Sequence, residues 1–142
     1  MDFAAGCGLA ALAACRAGAA FVEACEIDPL AVAAVGLNAA ANGCAVTATL
    51  GDLVGVAARW DLILCGDVCY EAPMTTHILP WLRAMAASGV EVWVADPGRA
   101  YVPTAGVAEF FRCEVPTTRE LEDRAARLVV LYRLLPEMAG VA

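Results

Sequence analysis

The sequence predicts an α/β fold, a mostly parallel sheet with helices between its strands and an antiparallel hairpin at its end. Three observations carry this. Residues 1–95 alternate short β-rich runs with helix-forming runs, the pattern of parallel strands joined by crossover helices. Asp2 followed by Gly6, Cys7 and Gly8 reads as a strand end running into a glycine turn and an Ala/Leu-rich helix, the device by which open sheets bring bare backbone to a nucleotide-like ligand. The last two β-rich runs have no helix between them, so they should pair antiparallel.

The elements follow in order. Residues 9–17 are dense in helix formers and end at Gly18, a suitable residue just past a helix. Residues 21–27 read as a strand. Asp28 then caps a helix whose first residue is Pro29, where the missing N–H costs nothing, and which runs to about residue 41 before Asn42-Gly43 stops it. Residues 45–50 are a strand delivering Gly51-Asp52 to a loop. Residues 60–65 are apolar enough for a strand buried on both faces, ending at Gly66-Asp67. Met74, Ile78, Leu79, Leu82 and Met85 fall at helical spacing, so residues 73–87 are helical, with Pro80 at a kink or at a junction of two shorter helices. Residues 90–95 form the next strand, closed by Asp96-Pro97-Gly98. Residues 107–111 are expected to end a short helix, 111–115 to form a strand, 116–126 a polar loop and 128–134 the last strand. The predicted domain is 1–135, with 136–142 a tail.

Composition narrows the function. The chain has 142 residues, is 61% hydrophobic with mean hydropathy +0.68, and carries net charge −7, enough apolar material for one core. No run reaches the eighteen or so uncharged apolar residues a membrane span needs. Every basic side chain other than His77 is arginine, and the acidic balance argues against a nucleic-acid groove. It favours a basic protein segment or a small cation as partner, or serves only to keep an apolar domain soluble. The cysteines, 7, 15, 25, 44, 65, 69 and 113, include no C-x-x-C and no histidine pair, so no metal site is expected. They read as buried thiols of a reducing cytoplasm.

A carboxylate stands at or just past each of the inferred strands of the parallel part: Asp2, Glu26, Asp52, Asp67 and Asp96. Ligands of open α/β sheets bind beyond these strand ends. Any one of them can be a turn or cap residue; the set points to a shared ligand crevice. Glu26 lies twenty residues beyond Gly6, where a carboxylate can accept both hydroxyls of a ribose. Its bland reading is help in capping the helix after Asp28. Gly6-Cys7-Gly8-Leu9-Ala10-Ala11 also satisfies a dinucleotide fingerprint, which keeps a nicotinamide cofactor as a rival. Asp2 before the turn and Asp52 after the third strand favour S-adenosylmethionine, a ligand with an amino-acid end and an adenine.

Taken together, Asp2-x-x-x-Gly6-x-Gly8, Glu26-Ile27-Asp28-Pro29, Gly51-Asp52 and Asp67-Val68-Cys69-Tyr70 resemble the class I, seven-strand S-adenosylmethionine-dependent methyltransferases. Within these, the Asp-x-x-Tyr step, with stretches 60–71, 96–101 and 116–122, resembles bacterial relatives of the electron transfer flavoprotein β-subunit lysine methyltransferase. The resemblance runs from Asp2 to Leu134 and implies a Rossmann-like mixed sheet, S-adenosyl-L-methionine as cofactor and a protein lysine, electron transfer flavoprotein β among the partners, as acceptor. It implies that Asp2, Ala4, Gly6 and Gly8 hold the methionine end of the cofactor, Glu26 the ribose, and Asp52 with Leu53 the adenine. Asp67 and Tyr70 are its catalytic pair, Asp67 also touching the cofactor, and Pro97, Gly98, Arg99 and Tyr101 border the substrate entrance. Other acceptors, a small amine or a ribosomal protein, stay open, as do a nicotinamide-binding fragment and an inactive remnant. Two departures stand out. The family pattern has glycine where this chain has Ala4, and only residues 1–3 are available as the first strand, which points to an N-terminally truncated and poorly stable domain.

Overall fold

The computed structural model describes residues 1–117 and 125–136; residues 118–122 of the resembling stretch and the tail beyond 136 lie outside them. Two compact units are present, Met1–Gly66 and Asp67–Ala142.

The first unit contains β1 (Asp2–Phe3), α1 (Leu9–Arg16), β2 (Glu23–Glu26), α2 (Pro29–Asn42), β3 (Thr47–Leu50) and β4 (Leu62–Gly66). Its strands take the order β3-β2-β1-β4. Short as it is, β1 pairs in parallel on both sides, Asp2 with Ala24 and Leu64, Phe3 with Cys25 and Cys65. Parallel neighbours with helical crossovers put every strand end of this unit on one edge. The core joins helices to sheet: Ala11, Val22, Ala24 and Val35 are buried together, with Ala14, Cys15 and Val46 packed against them.

Local chemistry sets the helix ends. The Asp28 carboxylate accepts from Leu30 N–H at 2.8 Å, Pro29 is the first helical residue, and Gly43 closes α2 in the left-handed region at φ 63°. Strand β2 is shorter than the expected 21–27, because Phe21 and Ile27 both stand in solvent and a parallel strand keeps only what its neighbours cover. Trp60, expected to open the strand over 60–65, is buried but precedes β4. Its indole N–H donates to Glu23, which also accepts from Thr49 Oγ1 and the Arg59 guanidinium. Burial pushes the Glu23 carboxyl up, but these donors outweigh it and hold it below the ordinary range. This cluster lies at the start of β2, away from the strand ends where ligands bind.

The second unit contains α3 (Ala72–Ala87), β5 (Glu91–Asp96), β6 (Val107–Pro116) and β7 (Ala126–Leu134), with strand order β5-β7-β6. Helix α3 is one helix with Pro80 inside it, so the expected alternative of two helices is not found. Its Ile78, Trp81, Leu82 and Met85 are buried. Strands β6 and β7 form the expected antiparallel hairpin. The helix expected to end at 107–111 is instead the first half of β6. Val107 and Ala108 lie opposite Leu134 and Arg133, and this ladder overrides the helix preference of Ala108 and Glu109. The register slips between Glu109 and Phe111, a β-bulge that leaves Phe110 as the extra residue. Among the described residues no helix is long and apolar enough to cross a membrane.

Candidate functional site

The glycine turn is built from alternating left-handed residues, Ala4 at φ 53°, Gly6 at 52° and Gly8 at 82°. Such alternation turns successive backbone N–H groups into a concavity suited to polar ligands. Three side chains from three elements hold it. Asp2, buried at the end of the sheet, accepts from Ala11 N–H at 2.8 Å and so anchors the first turn of α1. Glu26 accepts from Gly6 N–H through Oε2 at 2.9 Å, and from Ile27 N–H at 2.7 Å and Asp28 N–H at 3.2 Å through Oε1. Asn38 of α2 donates to the Cys7 carbonyl at 2.9 Å. The last is absent from the sequence reading; its one signal is a polar amide inside a helix that is otherwise Ala- and Val-rich.

Glu26 stands at the strand end beside the turn and also ties down the entry to α2. Its carboxylate offers about four acceptor positions, of which the backbone takes three. Asp52 is exposed, and its Oδ1 accepts from Val54 N–H at 2.9 Å, a tight loop after β3. Leu53 is half-buried beside it. Cys25 donates to Gly51 O at 3.1 Å, and burial pushes its thiol up to about 11. The thiols divide: Cys25, Cys65 and Cys69 are buried as expected, whereas Cys7 is exposed and Cys15, Cys44 and Cys113 are half-buried. Among the described residues no group of His, Cys, Asp and Glu is placed to hold a metal.

The turn also has room. A Cβ built on Gly6 meets nothing within 4 Å, and the same is true of Gly51. Polar groups converging on open space, with carboxylates from two strand ends, suit a ligand carrying an amino-acid end and ribose hydroxyls.

Ala4 sits where the left-handed backbone costs any L-residue about 1–2 kcal/mol. The glycine of the family pattern thus answers a real demand of this turn. Ala4→Gly is expected to raise unfolding free energy by about 0.5–1 kcal/mol, the relief offset in part by the freer unfolded chain. Urea titration checks this, and a destabilised variant would show that the methyl packs more than it strains.

In the second unit, Asp67 and Tyr70 precede α3, and Pro97, Gly98, Arg99 and Tyr101 follow β5. Asp67 is itself left-handed at φ 50°, and its N–H donates to Ala95 O at 2.8 Å. Arg99 grips its carboxylate with both arms of the guanidinium, Nε on Oδ1 at 2.7 Å and Nη2 on Oδ2 at 2.5 Å. Asp96, 1% exposed, accepts from Gly98 and Arg99 N–H at 2.7 Å each through Oδ1, while its Oδ2 is buried without a partner among the described residues. Tyr70 and Tyr101 are exposed, at 52% and 46%. Pro97 presents its carbonyl to Arg127.

The chain is similar to several known proteins. The family model of ribosomal protein L11 methyltransferase (PrmA) matches residues 1–68. The electron transfer flavoprotein β subunit lysine methyltransferase of Xenopus laevis is 38% identical over 103 residues, 70% of this chain and 42% of that protein. The chain thus spans about two fifths of the length of the curated relatives it matches. Among solved structures, ribosomal protein L11 methylase from Lactobacillus delbrueckii subsp. bulgaricus superposes with a TM-score of 0.67 at 22% identity, over 96% of this chain and 68% of that one. An RNA methyltransferase from Salinibacter ruber, in complex with S-adenosyl-L-homocysteine, gives 0.64 at 20% identity over 99% and 82%. These similarities are ones of fold and extend over nearly the whole chain. In sequence the chain is thus similar to protein lysine methyltransferases, and in fold to the class I S-adenosylmethionine-dependent methyltransferases.

Proposed function

We propose that the protein transfers a methyl group from S-adenosyl-L-methionine to the side-chain amine of a lysine in a protein substrate. The observation that carries the cofactor half is the turn of Ala4, Gly6 and Gly8, held open by Asp2, Glu26 and Asn38. In this reading Asp2, Ala4, Gly6 and Gly8 surround the amino-acid end, the last acceptor position of Glu26 takes a ribose hydroxyl, and Asp52 with Leu53 takes the adenine. The bound cofactor supplies an activated methyl on a sulfonium. The protein's own task is alignment and control of one proton, because an amine attacks only in its neutral form.

Asp67 is the residue for that proton, accepting an N–H of the acceptor amine and orienting its lone pair. Tyr70 and Tyr101, both exposed, offer aromatic faces to a lysine or to its methylated cation. Pro97, Gly98 and Arg99 shape the approach. The net charge of −7 suits a basic substrate segment, and the names of the relatives point to the electron transfer flavoprotein β subunit as the first acceptor to try.

Calorimetry with S-adenosylhomocysteine should give saturable binding, and NADH none. Labelled methyl should pass to the electron transfer flavoprotein β subunit, with Asp67→Asn lowering turnover about 30-fold. Binding of NADH in place of S-adenosylhomocysteine would overturn the cofactor assignment. Transfer to a ribosomal protein or a small amine, with none to the β subunit, would overturn the acceptor.

A further inference from the structure

We infer that Arg99 is a positioning residue for the acceptor amine, acting through Asp67, and that Asp96 is the anchor that aims it. The inference rests on the lysine reading of the site and goes beyond it by assigning Arg99 and Asp96 their parts.

Asp67 has a single side-chain torsion pair between its backbone and its carboxylate, so its aim depends on backbone and partner. The backbone is in the left-handed region, tied at its N–H to Ala95 O. Aspartate tolerates this conformation better than most residues, yet it persists only where surroundings impose it. The partner is Arg99, whose two contacts are those of a planar fork on a carboxylate. This geometry fixes the plane of the carboxylate as well as its position. Both Asp67 oxygens are engaged on the side facing the guanidinium, which leaves their outer lone pairs to receive an amine N–H.

Arg99 is placed in turn by its main chain. Asp96 Oδ1 takes the N–H of both Gly98 and Arg99 at 2.7 Å, pinning the loop after β5 to a carboxylate that is almost wholly buried. The order of control runs from Asp96 to the loop, from the loop to the Arg99 guanidinium, and from there to Asp67. A half-exposed carboxylate without such a partner would sample several directions, and misplacement of a reacting group by about 1 Å is enough to lose much of its rate contribution.

A second effect follows from charge. The guanidinium neutralises Asp67 before the substrate arrives, so the site binds a lysine ammonium less tightly than a bare carboxylate would. This favours the neutral amine that methyl transfer requires. Loss of Arg99 should therefore tighten binding of the cationic lysine while slowing its reaction, a split that loss of fold does not produce.

The test uses Arg99→Gln, Arg99→Lys, Asp67→Asn and the double variant Asp67→Asn/Arg99→Gln, with the lysine-bearing protein as substrate. Arg99→Gln should lower kcat about tenfold with KM unchanged or reduced, and affinity for S-adenosylhomocysteine should stay at the wild-type value. Arg99→Lys should recover only part of kcat, since an ammonium cannot reproduce the fork. The double variant should be no slower than Asp67→Asn, because Arg99 acts only through Asp67. Multiplicative losses in the double variant, or wild-type kcat in Arg99→Gln, would overturn the inference while leaving the lysine reading intact. Failure of the wild-type protein to methylate any lysine would overturn both.

Discussion

Gly8→Ala is expected to destabilise the protein by about 2–4 kcal/mol, adding the left-handed penalty of an L-residue to the cost of overpacking a tight core. Gly8 lies at φ 82°, and a methyl there would stand 3.1 Å from Val35 Cγ2 and 3.2 Å from Cγ1. Val35 cannot step aside, being 2% exposed and enclosed by Ala11, Val22 and Ala24. Gly6→Ala is the control. It shares the left-handed backbone at φ 52° but finds open space, so about 1–2 kcal/mol is expected. Urea titrations of the two variants separate conformation from packing. Equal losses would show that α2 shifts to accommodate the methyl.

The second expectation concerns pH. Burial pushes the Asp2 carboxyl from its ordinary 3.8 up to about 6, with Glu26 adding to the shift, while the Ala11 N–H and the N-terminal ammonium oppose it. The folded protein thus holds a proton that the unfolded chain has already lost between those values. Stability falls as pH rises through that window, by roughly 3 kcal/mol over the 2.2-unit difference. Below about pH 4 both states are protonated and the contribution is fully present; well above 6 it is gone. Asp2→Asn cannot ionise, so the difference in unfolding free energy between it and the wild type should move by up to about 3 kcal/mol in the variant's favour between pH 4 and 7. A difference that stays constant across this range would remove Asp2 from the account. At neutral pH the protein carries this cost beside the first turn of α1, whose N–H groups a charged carboxylate complements.

What could be read from the sequence was what local chemistry decides. Asp28-Pro29 and Asn42-Gly43 bound α2 because capping and left-handed closure need only neighbouring residues. Gly6, Gly8 and the glycine preference at Ala4 announced a turn for the same reason. Residues 107–111 were misassigned because Ala108 and Glu109 favour a helix in isolation, and only pairing with β7, far along the chain, makes them a strand. The site divides likewise. Glu26 and Asp67 were marked by their position after strands, but the contacts that fix them and the turn join residues some 20 to 32 positions apart, Glu26 to Gly6, Asn38 to Cys7 and Arg99 to Asp67. No local pattern records such pairs; the sheet order creates them.

The slip at Phe110 has a bearing on how the molecule behaves among its own copies. Strand β6 ends the order of its unit, and a straight outer strand with Phe110, Phe111 and Val115 exposed would be a template for another chain. The extra residue bends the strand and puts its free N–H and C=O groups out of step with any regular partner. The Glu109–Arg112 ion pair sets charge across the same stretch, and Pro116 removes a donor at its end. Bulge, ion pair and proline together blunt an edge that so apolar a sequence would otherwise leave open to pairing.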